Sequence, residues 1–207
     1  MKIAILGGTG GTGREAITQA RHRGHDVVAL ARHAQPAQDG VRWIVGDATD
    51  RAVLAQLVTG TDGVFCALGP RDDSPDACSR ATAALVSVLD ASGPRRLVVV
   101  TGAMIGHPRK RLGLLYRAIR RSFEQHQPQQ AKDRHAQEDV VEGSALAWTI
   151  LRPARLVDGP RSRHVRVGTD LRVGALAKTR RADLATVALD ELERGEHLRE
   201  GAVVLSR

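Results

Sequence analysis

The sequence is poor in aromatic residues and cysteines and has no long apolar run. Phe, Trp and Tyr make up 2% of its 207 residues, so the stacking surfaces that bind single-stranded nucleic acids are nearly absent. The two cysteines, Cys66 and Cys78, have neither metal-site spacing nor the number needed for a disulfide framework. No stretch approaches the about 20 apolar residues that cross a bilayer, and MKIAILGG at the start lacks the features of a signal peptide. We therefore expect a cytoplasmic protein without a membrane segment or a metal site.

The charge balance is basic, with 31 Lys and Arg residues against 23 Asp and Glu residues and a formal net charge of +8. The excess is mostly arginine and is densest in segments 107–122 and 155–166. Basic surfaces attract nucleic acids, but no lysine-rich tract or nucleic-acid motif accompanies this charge. We therefore expect either an arginine-rich surface in solvent or a basic rim around a site for an anionic small molecule, rather than nucleic-acid binding.

Short apolar runs alternate with longer helical segments, a pattern typical of βαβ units. The runs are nearly continuous in Val, Ile, Leu and Ala, which suits strands covered on both faces. The length favours one domain, residues 1–207. We predict an α/β fold with a doubly wound parallel sheet of order 3-2-1-4-5-6 and a further strand. The predicted strands are 2–6, 26–31, 42–45, 63–67, 96–101, 147–151 and 202–205, and the main predicted helices are 12–23, 51–58, 76–91, 131–142 and 182–193.

Two segments interrupt the alternation, and each follows the carboxyl end of a strand, where open α/β sheets bind ligands. The first, about 104–130, is basic and rich in Gln and is predicted to be a loop around a short helix at 112–123. The second, about 154–176, is predicted to be irregular with a short hairpin at 165–173. We expect these two segments to form the wall of a substrate site.

A glycine-rich loop follows the first predicted strand, where residues 5–15 read ILGGTGGTGRE. Two phosphate-loop patterns overlap there, G-x-G-x-x-G starting at Gly8 and G-x-x-G-x-x-G starting at Gly7. Between a strand and a helix, such glycines allow a tight turn and a close approach to a pyrophosphate, which the first N–H groups of the helix bind. Arg14 either contacts a phosphate or extends into solvent. The residues expected to bind a dinucleotide here are Gly7, Gly8, Thr9, Gly10, Gly11, Thr12 and Gly13.

The end of the second predicted strand carries Arg32. NAD-binding proteins have an acidic residue about 20 residues after the glycines, at this place. An acid would repel a 2′-phosphate, whereas the planar guanidinium of arginine donates hydrogen bonds to it. The sequence therefore predicts NADP as the cofactor, with NADPH preferred over NADH. A surface arginine at a strand end is the alternative.

Six stretches occur in order along the chain: GGTGGTGRE, ALAR, VGDATD, FCALG, VVVTGAM and SALAWTILRPARL. With these motifs the chain resembles the atypical short-chain dehydrogenases/reductases, and in particular the NAD(P)H-binding group that includes flavin reductase/biliverdin-IXβ reductase and the NmrA-like proteins. The resemblance implies a Rossmann fold and the glycine register Gly7, Gly10 and Gly13. It also implies cofactor contacts by Asp47 and Ala48 at the adenine, by Ala67, Leu68 and Gly69 at the adenosine ribose, and by Thr101, Gly102, Pro153, Ala154 and Arg155 near the nicotinamide. For Asp47, a role in a turn or a helix cap is the alternative.

The Tyr-x-x-x-Lys pair of many short-chain reductases is missing. The single tyrosine, Tyr116, has Arg120 at i+4, and arginine stays charged but hydrogen-bonds differently from lysine. By the resemblance, Gln130 and Arg134 occupy the positions of the pair. Tyr116 is interpreted as a packing or rim residue, with catalysis as the alternative. Thr101 is interpreted as a donor to a substrate oxygen or to the nicotinamide amide, or as a hydroxyl that satisfies the backbone.

His135 and Glu138 lie at i and i+3 on a predicted helix and share one face. No third or fourth ligand has a metal-site relation to them. We interpret this face as solvated.

The sequence offers no clear side-chain proton donor for a reduction reaction, and this affects which substrate class is expected. Carbonyl reduction benefits from a proton donor, whereas a conjugated acceptor spreads charge over its ring and leaves the difficult chemistry to the cofactor. We therefore expect an NADPH-dependent reductase of a conjugated, anionic small molecule such as a flavin, quinone or tetrapyrrole. A non-catalytic NADP(H)-binding regulator of the NmrA-like kind and an epimerase- or dehydratase-type enzyme are the alternatives.

Overall fold

The computed structural model describes residues 1–70, 74–105 and 114–207. In these residues the chain alternates between strands of one large sheet and helices that cover both of its faces. In chain order the elements are β1 (Lys2–Leu6), α1 (Gly11–His22), β2 (Asp26–Ala31), β3 (Val41–Val45), α2 (Arg51–Val58), β4 (Gly63–Cys66), α3 (Ala77–Ser92), β5 (Arg96–Val100), α4 (Leu114–His126), α5 (Pro128–Glu142), β6 (Ala147–Pro153), β7 (Arg155–Val157), β8 (Val165–Gly168), β9 (Lys178–Arg180), α6 (Arg181–Arg194) and β10 (Glu200–Ser206).

The sheet has the strand order β3-β2-β1-β4-β5-β6-β10-β9-β7, and β8 pairs with β10. The strands from β3 to β10 along this order are parallel, whereas β8 and β9 run antiparallel to β10. The predicted α/β class and the order 3-2-1-4-5-6 with a further strand are confirmed. Leu6 pairs with Cys66 and Ala31 with Val45. The carboxyl ends of these neighbouring strands therefore lie along one edge of the sheet.

The apolar core lies on both faces of the sheet. On one face, α1 and α6 pack on the central strands through residues such as Ile17 and Leu189, which lie in one cluster with Ile5. On the other face, Leu85 of α3 belongs to a cluster that includes Leu6. Burial on both faces explains why the strands carry continuous apolar runs instead of an alternating pattern. Within the described residues, no helix is both long and apolar enough to cross a membrane.

The predicted elements agree with the structure except in the two interrupting segments. The helix expected at 112–123 is observed as α4 and ends three residues later than predicted, at His126. Residues 106–113, which include the first two positions of the predicted helix, lie outside the described part. Helix α5 begins at Pro128, three residues before the predicted start, because proline suits the first turn of a helix. The hairpin expected at 165–173 is wrong: β8 pairs instead with β10, where Val167 lies opposite Val204. The partly buried Val165 and Val167 pack against the core cluster, so this strand depends on a partner distant in sequence.

The start of α3 is fixed by a side chain from another helix. Asp133 of α5 is buried, and its carboxylate accepts hydrogen bonds from the backbone N–H groups of Cys78 at 3.1 Å and Ser79 at 2.8 Å. Asp76, the residue before the helix, makes no such cap hydrogen bond. By contrast, α2 is capped locally by Asp50, whose side chain accepts hydrogen bonds from the N–H groups of Ala52 and Val53. Helix α5 therefore holds the first turn of α3 at the carboxyl edge of the sheet.

We predict that Asp133→Asn lowers the free energy of unfolding by about 1–2 kcal/mol, because one acceptor oxygen is replaced by an NH₂ group that faces a backbone N–H. Urea denaturation measures this loss. The matched control is Asp139→Asn, on the exposed face of the same helix, which is expected to change stability by less than about 0.5 kcal/mol. Equal effects of the two substitutions would contradict the capping role.

Candidate functional site

The loop between β1 and α1 depends on glycine at two positions. Gly7 has a φ of +78°, and a Cβ there would lie 2.6 Å from the carbonyl oxygen of Ala67, so conformation and space both require glycine. The Gly10 N–H donates to the Gly7 carbonyl at 3.0 Å, and a Cβ on Gly13 would overlap that same carbonyl. At Gly8 a Cβ would instead meet only side-chain atoms, at 3.2 Å. The backbone therefore follows the G-x-x-G-x-x-G register.

The first turn of α1 has the features of an anion-binding helix end. Gly10 precedes the helix in an extended conformation and has no side chain, so within the described residues no side-chain cap is formed. The first turn also contains no acidic residue. The first N–H groups of a helix have no intrahelical partner, and they carry the positive end of the helix dipole. A phosphate or another anion is the natural partner for such an end.

A cavity of about 360 Å³ opens beside this loop at the carboxyl edge of the sheet. Its walls come from the glycine loop, the ends of β2, β3 and β4, and the first turns of α3. The structure thus brings together segments that are far apart in sequence. The cavity-lining residues that the sequence predicts to bind cofactor are Gly7, Thr9, Gly10, Arg32, Asp47, Ala48, Ala67, Leu68 and Gly69.

Two arginines line this cavity. Arg32 is exposed where β2 ends, and no hydrogen bond or ion pair holds its guanidinium among residues 1–70, 74–105 and 114–207. Arg80 lies one turn into α3, with its guanidinium 3.7 Å from the carboxylate of Asp76. That pair is exposed and therefore weak. Arg80 was not predicted from the sequence, although a residue in the first turns of the helix after β4 is expected to lie near the carboxyl edge of the sheet. Together the two side chains give this wall a positive field.

Asp47 adopts the turn role that the sequence left as an alternative. Its Oδ1 accepts hydrogen bonds from the Thr49 N–H at 2.8 Å and from the Thr49 hydroxyl at 2.6 Å. The turn places Asp47 and Ala48 on the cavity wall. A carboxylate can accept several hydrogen bonds, so the turn and the predicted adenine contact are compatible.

At the end of β5 a buried charge network replaces the expected solvated face. The Thr101 hydroxyl donates to Oε1 of Glu138 at 2.6 Å. Arg152 of β6 donates to the same carboxylate from Nε at 3.0 Å and from Nη2 at 2.7 Å. Glu138 is only 3% exposed, so the interpretation of His135 and Glu138 as a solvated face is wrong. A buried arginine in a strand requires an anionic partner, and Arg152 was the available signal.

Arg134, at the position implied for the lysine of a short-chain reductase, ties two strand ends together. Its Nη2 donates to the Leu68 carbonyl at 3.0 Å, and its Nη1 donates to the Val100 carbonyl at 3.2 Å and to Oε1 of Gln137 at 2.7 Å. Gln130, one turn earlier, is half-buried. The guanidinium therefore lies at the sheet edge, against a residue of the cavity wall.

The other residues expected near the nicotinamide follow β5 and β6. The Ala103 N–H donates to the Pro153 carbonyl at 2.8 Å, which joins these two strand ends. A Cβ on Gly102 would meet no other atom within 4 Å. Ala154 is buried and Arg155 is exposed. Thr101, Gly102, Pro153 and Arg155 thus lie further along the same edge than the residues that line the cavity.

Tyr116, in the first predicted wall segment, packs against the second. It lies in one cluster with Ala103, Ala154 and Val173. Burial raises the pKa of its phenol to about 12, and the nearby Arg120 cation lowers it by less. A phenol with a raised pKa is a poor acid near neutral pH. These contacts favour the packing role of Tyr116.

The cysteines are buried and have raised thiol pKa values. Burial raises the pKa of Cys66 and raises that of Cys78 to about 12. Because the thiolate is the nucleophile, neither side chain is activated for covalent chemistry. In the described part of the chain, no three His, Cys, Asp or Glu side chains cluster as a metal site would require.

One further cation at the glycine loop was missed by the sequence analysis. The side chain of Arg181, the first residue of α6, lies against the start of α1: a Cβ on Gly11 would be 2.6 Å from its Cδ. Its guanidinium pairs with Asp158 at 2.8 Å, and the Asp158 side chain is 89% exposed, so the pair is weak. A cation at the start of a helix opposes the helix dipole, and this was the only signal for Arg181 in the sequence.

We predict that Gly13→Ala lowers the free energy of unfolding by about 1–3 kcal/mol, since the new methyl group would overlap the Gly7 carbonyl. Gly69→Ala, on the cavity wall, is the matched control, because a Cβ there would meet nothing within 4 Å. Thermal or urea denaturation of both variants measures the difference. Equal stability of the two variants would contradict the prediction, because it would mean that the loop backbone moves away from the new methyl group without loss of stability.

Comparison with known proteins agrees with this arrangement. A family model described as NAD(P)H-binding matches residues 7–194. The uncharacterized protein YwnB of Bacillus subtilis is 30% identical over 214 residues, which cover 100% of this chain and 99% of that protein.

Two solved structures share the fold. ChuY, an anaerobillin reductase from Escherichia coli O157:H7, has a TM-score of 0.81 at 23% identity, with 100% of this chain and 97% of that chain covered. SP1627 of Streptococcus pneumoniae, described as a proposed NADH-flavin reductase, has a TM-score of 0.77 at 23% identity, with 100% of both chains covered. Because the family model spans residues 7–194, the chain belongs to the NAD(P)H-binding family, as its ordered motifs predict.

Proposed function

We propose that this protein is an NADPH-dependent oxidoreductase that reduces a conjugated small molecule such as a flavin, a quinone or a tetrapyrrole. The observation that carries the proposal is the glycine-lined cavity, which combines the uncapped start of α1 with Arg32 at the position of an NAD-specific acid. When bound, NADPH supplies the hydride. The residues of this chain bind and orient the cofactor and the acceptor and keep water away from them.

The cavity residues suit the separate groups of NADPH. The N–H groups of the first turn of α1 would hold the pyrophosphate, because Gly7 and Gly13 keep this backbone free of side chains. Arg32 would donate to the 2′-phosphate, and Arg80 adds positive charge to the same wall. Asp47 would accept from the adenine amino group. The Arg181 guanidinium, at the start of α1, would add charge beside the pyrophosphate.

The acidity of the neighbouring groups favours a conjugated acceptor. Among the described residues at this end, Tyr116 and Cys78 have raised pKa values, and the Thr101 hydroxyl donates to Glu138. A conjugated acceptor needs no strongly acidic side chain, because charge spreads over the ring and water supplies the protons. The two structural neighbours described as reductases, one of them for flavin, support this class of acceptor.

We further propose that the described parts of segments 104–130 and 154–176 form the acceptor wall, in which Tyr116 of the first segment packs against Ala154 and Val173 of the second. Positive charge on the second segment favours an anionic acceptor. Its exposed arginines are Arg155, Arg161, Arg163, Arg166 and Arg172.

The raised pKa values of Tyr116 and Cys78 also favour one other function, that of a regulator which binds NADP(H) without catalysing its oxidation or reduction. Such a protein needs the glycine loop and Arg32 but no acid. It would bind NADPH and leave it unoxidised in the presence of flavins, quinones and aldehydes.

We predict that Arg32→Gln weakens NADPH binding by roughly 10- to 100-fold and leaves NADH binding within about two-fold, since only NADPH carries the 2′-phosphate that accepts charged hydrogen bonds. Calorimetric titration of each nucleotide measures both affinities. Arg194→Gln is the control, because Arg194 ends α6 and lies outside the cavity lining. An equal loss of NADH affinity in Arg32→Gln would contradict the assignment to the 2′-phosphate.

We predict faster oxidation of NADPH with FMN than with riboflavin, because the two share one ring system and only FMN carries a phosphate. The measurement is kcat/KM for each flavin from low to high salt. The advantage of FMN is expected to shrink as salt screens the arginine field. Equal rates at low salt would remove the anionic preference, and NADPH binding without oxidation by any acceptor would select the regulator.

A further inference from the structure

The hydrogen-bond polarity of Thr101 is fixed by the residues behind it. A hydroxyl has one proton to donate and two lone pairs that accept. The Thr101 hydroxyl is 2.6 Å from Oε1 of Glu138, the short distance typical of a bond to a charged acceptor. A carboxylate only accepts, so the proton of Thr101 points at Glu138. The lone pairs of the Thr101 oxygen can still accept a hydrogen bond, and the residue is partly exposed.

Glu138 is itself held in one orientation. Arg152 donates from Nε to Oε1 at 3.0 Å and from Nη2 to Oε2 at 2.7 Å. This bidentate contact fixes the plane of the carboxylate. Both side chains are buried. Arg152 also donates to the Gly201 carbonyl at 3.4 Å, which links the pair to β10. Rotation of Glu138 away from Thr101 would leave the buried Arg152 cation with the longer, 3.5 Å contact to the half-exposed carboxylate of Glu142 in its place, which is unfavourable.

Thr101 lies at the place in the sheet that the far end of a dinucleotide reaches. Its N–H donates to the Leu151 carbonyl at 3.0 Å, which fixes it at the carboxyl edge between β5 and β6. Strand β5 neighbours β4, whose following residues Ala67, Leu68 and Gly69 line the cavity. Ligands of open α/β sheets lie across this edge. With its pyrophosphate at α1, the cofactor would extend along the edge toward β5 with its nicotinamide.

We propose that Glu138 is a positioning residue that makes Thr101 an acceptor for the N–H of the nicotinamide carboxamide. The inference rests on the proposed NADPH-binding function and adds a specificity determinant to it. It changes the expected role of Thr101, because a hydroxyl that donates to Glu138 does not donate to a substrate oxygen. The Glu138–Arg152 pair therefore selects a cofactor with a donor at this position and sets the orientation of the ring.

The test compares NADP with its 3-acetylpyridine analogue, in which a methyl group replaces the carboxamide NH₂. Both keep the carbonyl, the phosphates and the adenine, so they differ in the donor alone. Calorimetric titration of the native protein is expected to show about 10-fold tighter binding of NADP, the effect of one hydrogen bond. This binding measurement requires no acceptor and no turnover.

Three variants separate the proposed role from a structural one. Thr101→Val keeps the shape of the side chain and removes the oxygen, so the two ligands are expected to bind equally, with the loss confined to NADP. Thr101→Ser keeps the acceptor and is expected to retain the preference. Glu138→Leu removes the acceptor of the Thr101 proton, so the hydroxyl can turn outward as a donor, and the preference is expected to be lost. Thermal unfolding of Glu138→Leu shows whether it folds, and the two Thr101 variants carry the test if it does not.

The outcomes are distinct. Native protein that binds neither ligand would overturn the NADPH-binding function and this inference with it. Native protein that binds both ligands equally would overturn the inference alone. A preference for NADP that survives in Thr101→Val would also overturn it.

Discussion

The contact between the Gly7 carbonyl and the first turn of α1 is the constraint on which the candidate site depends. Gly10 donates to this carbonyl, and Gly13 approaches it too closely for any side chain. The helix therefore starts directly over the end of β1, in the middle of the sheet edge. Gly10, the residue before its uncapped first turn, lines the cavity formed by the ends of β2, β3 and β4. Without this approach, the uncapped start of α1 would not lie beside the cavity that Arg32 and Arg80 line.

The other half of the edge is organised by α5. Three successive features of this helix tie separate elements to the sheet edge. Asp133 caps α3, Arg134 joins the ends of β4 and β5, and Glu138 joins Thr101 to Arg152. Two of the three are buried carboxylates, and each of their oxygens accepts at least one hydrogen bond, as buried charge requires. Helix α5 therefore carries a set of hydrogen bonds that fix the geometry of this part of the edge.

The sequence predicted the architecture well because its signals are local. Continuous apolar runs place β1 and β2, and Asp50 marks the start of α2 at its observed residue. The loop signal is largely local, since the positive φ of Gly7 and the contact between Gly13 and the Gly7 carbonyl arise within seven residues, whereas the contact between Gly7 and Ala67 does not. The predicted cavity residues meet because parallel strands bring their carboxyl ends to one edge.

The misses are contacts between residues far apart in sequence. A polar i, i+3 pair on a helix looks solvated unless the buried partner on a strand is known, and Arg152 is that partner for Glu138. The alternation at β8 indicates a strand but not its partner, which is β10. Arg181 reaches Gly11 only because α6 packs beside α1. Local patterns carry no information about such pairings.

The central claim is that the edge between the glycine loop and Arg32 binds NADPH. Isothermal titration of the native protein with NADPH and with NADH, at one salt concentration, tests it most directly. Binding of NADPH at least about 10-fold tighter than NADH, the effect of charged hydrogen bonds to one phosphate, is the predicted result. Absence of binding by either nucleotide would contradict the account.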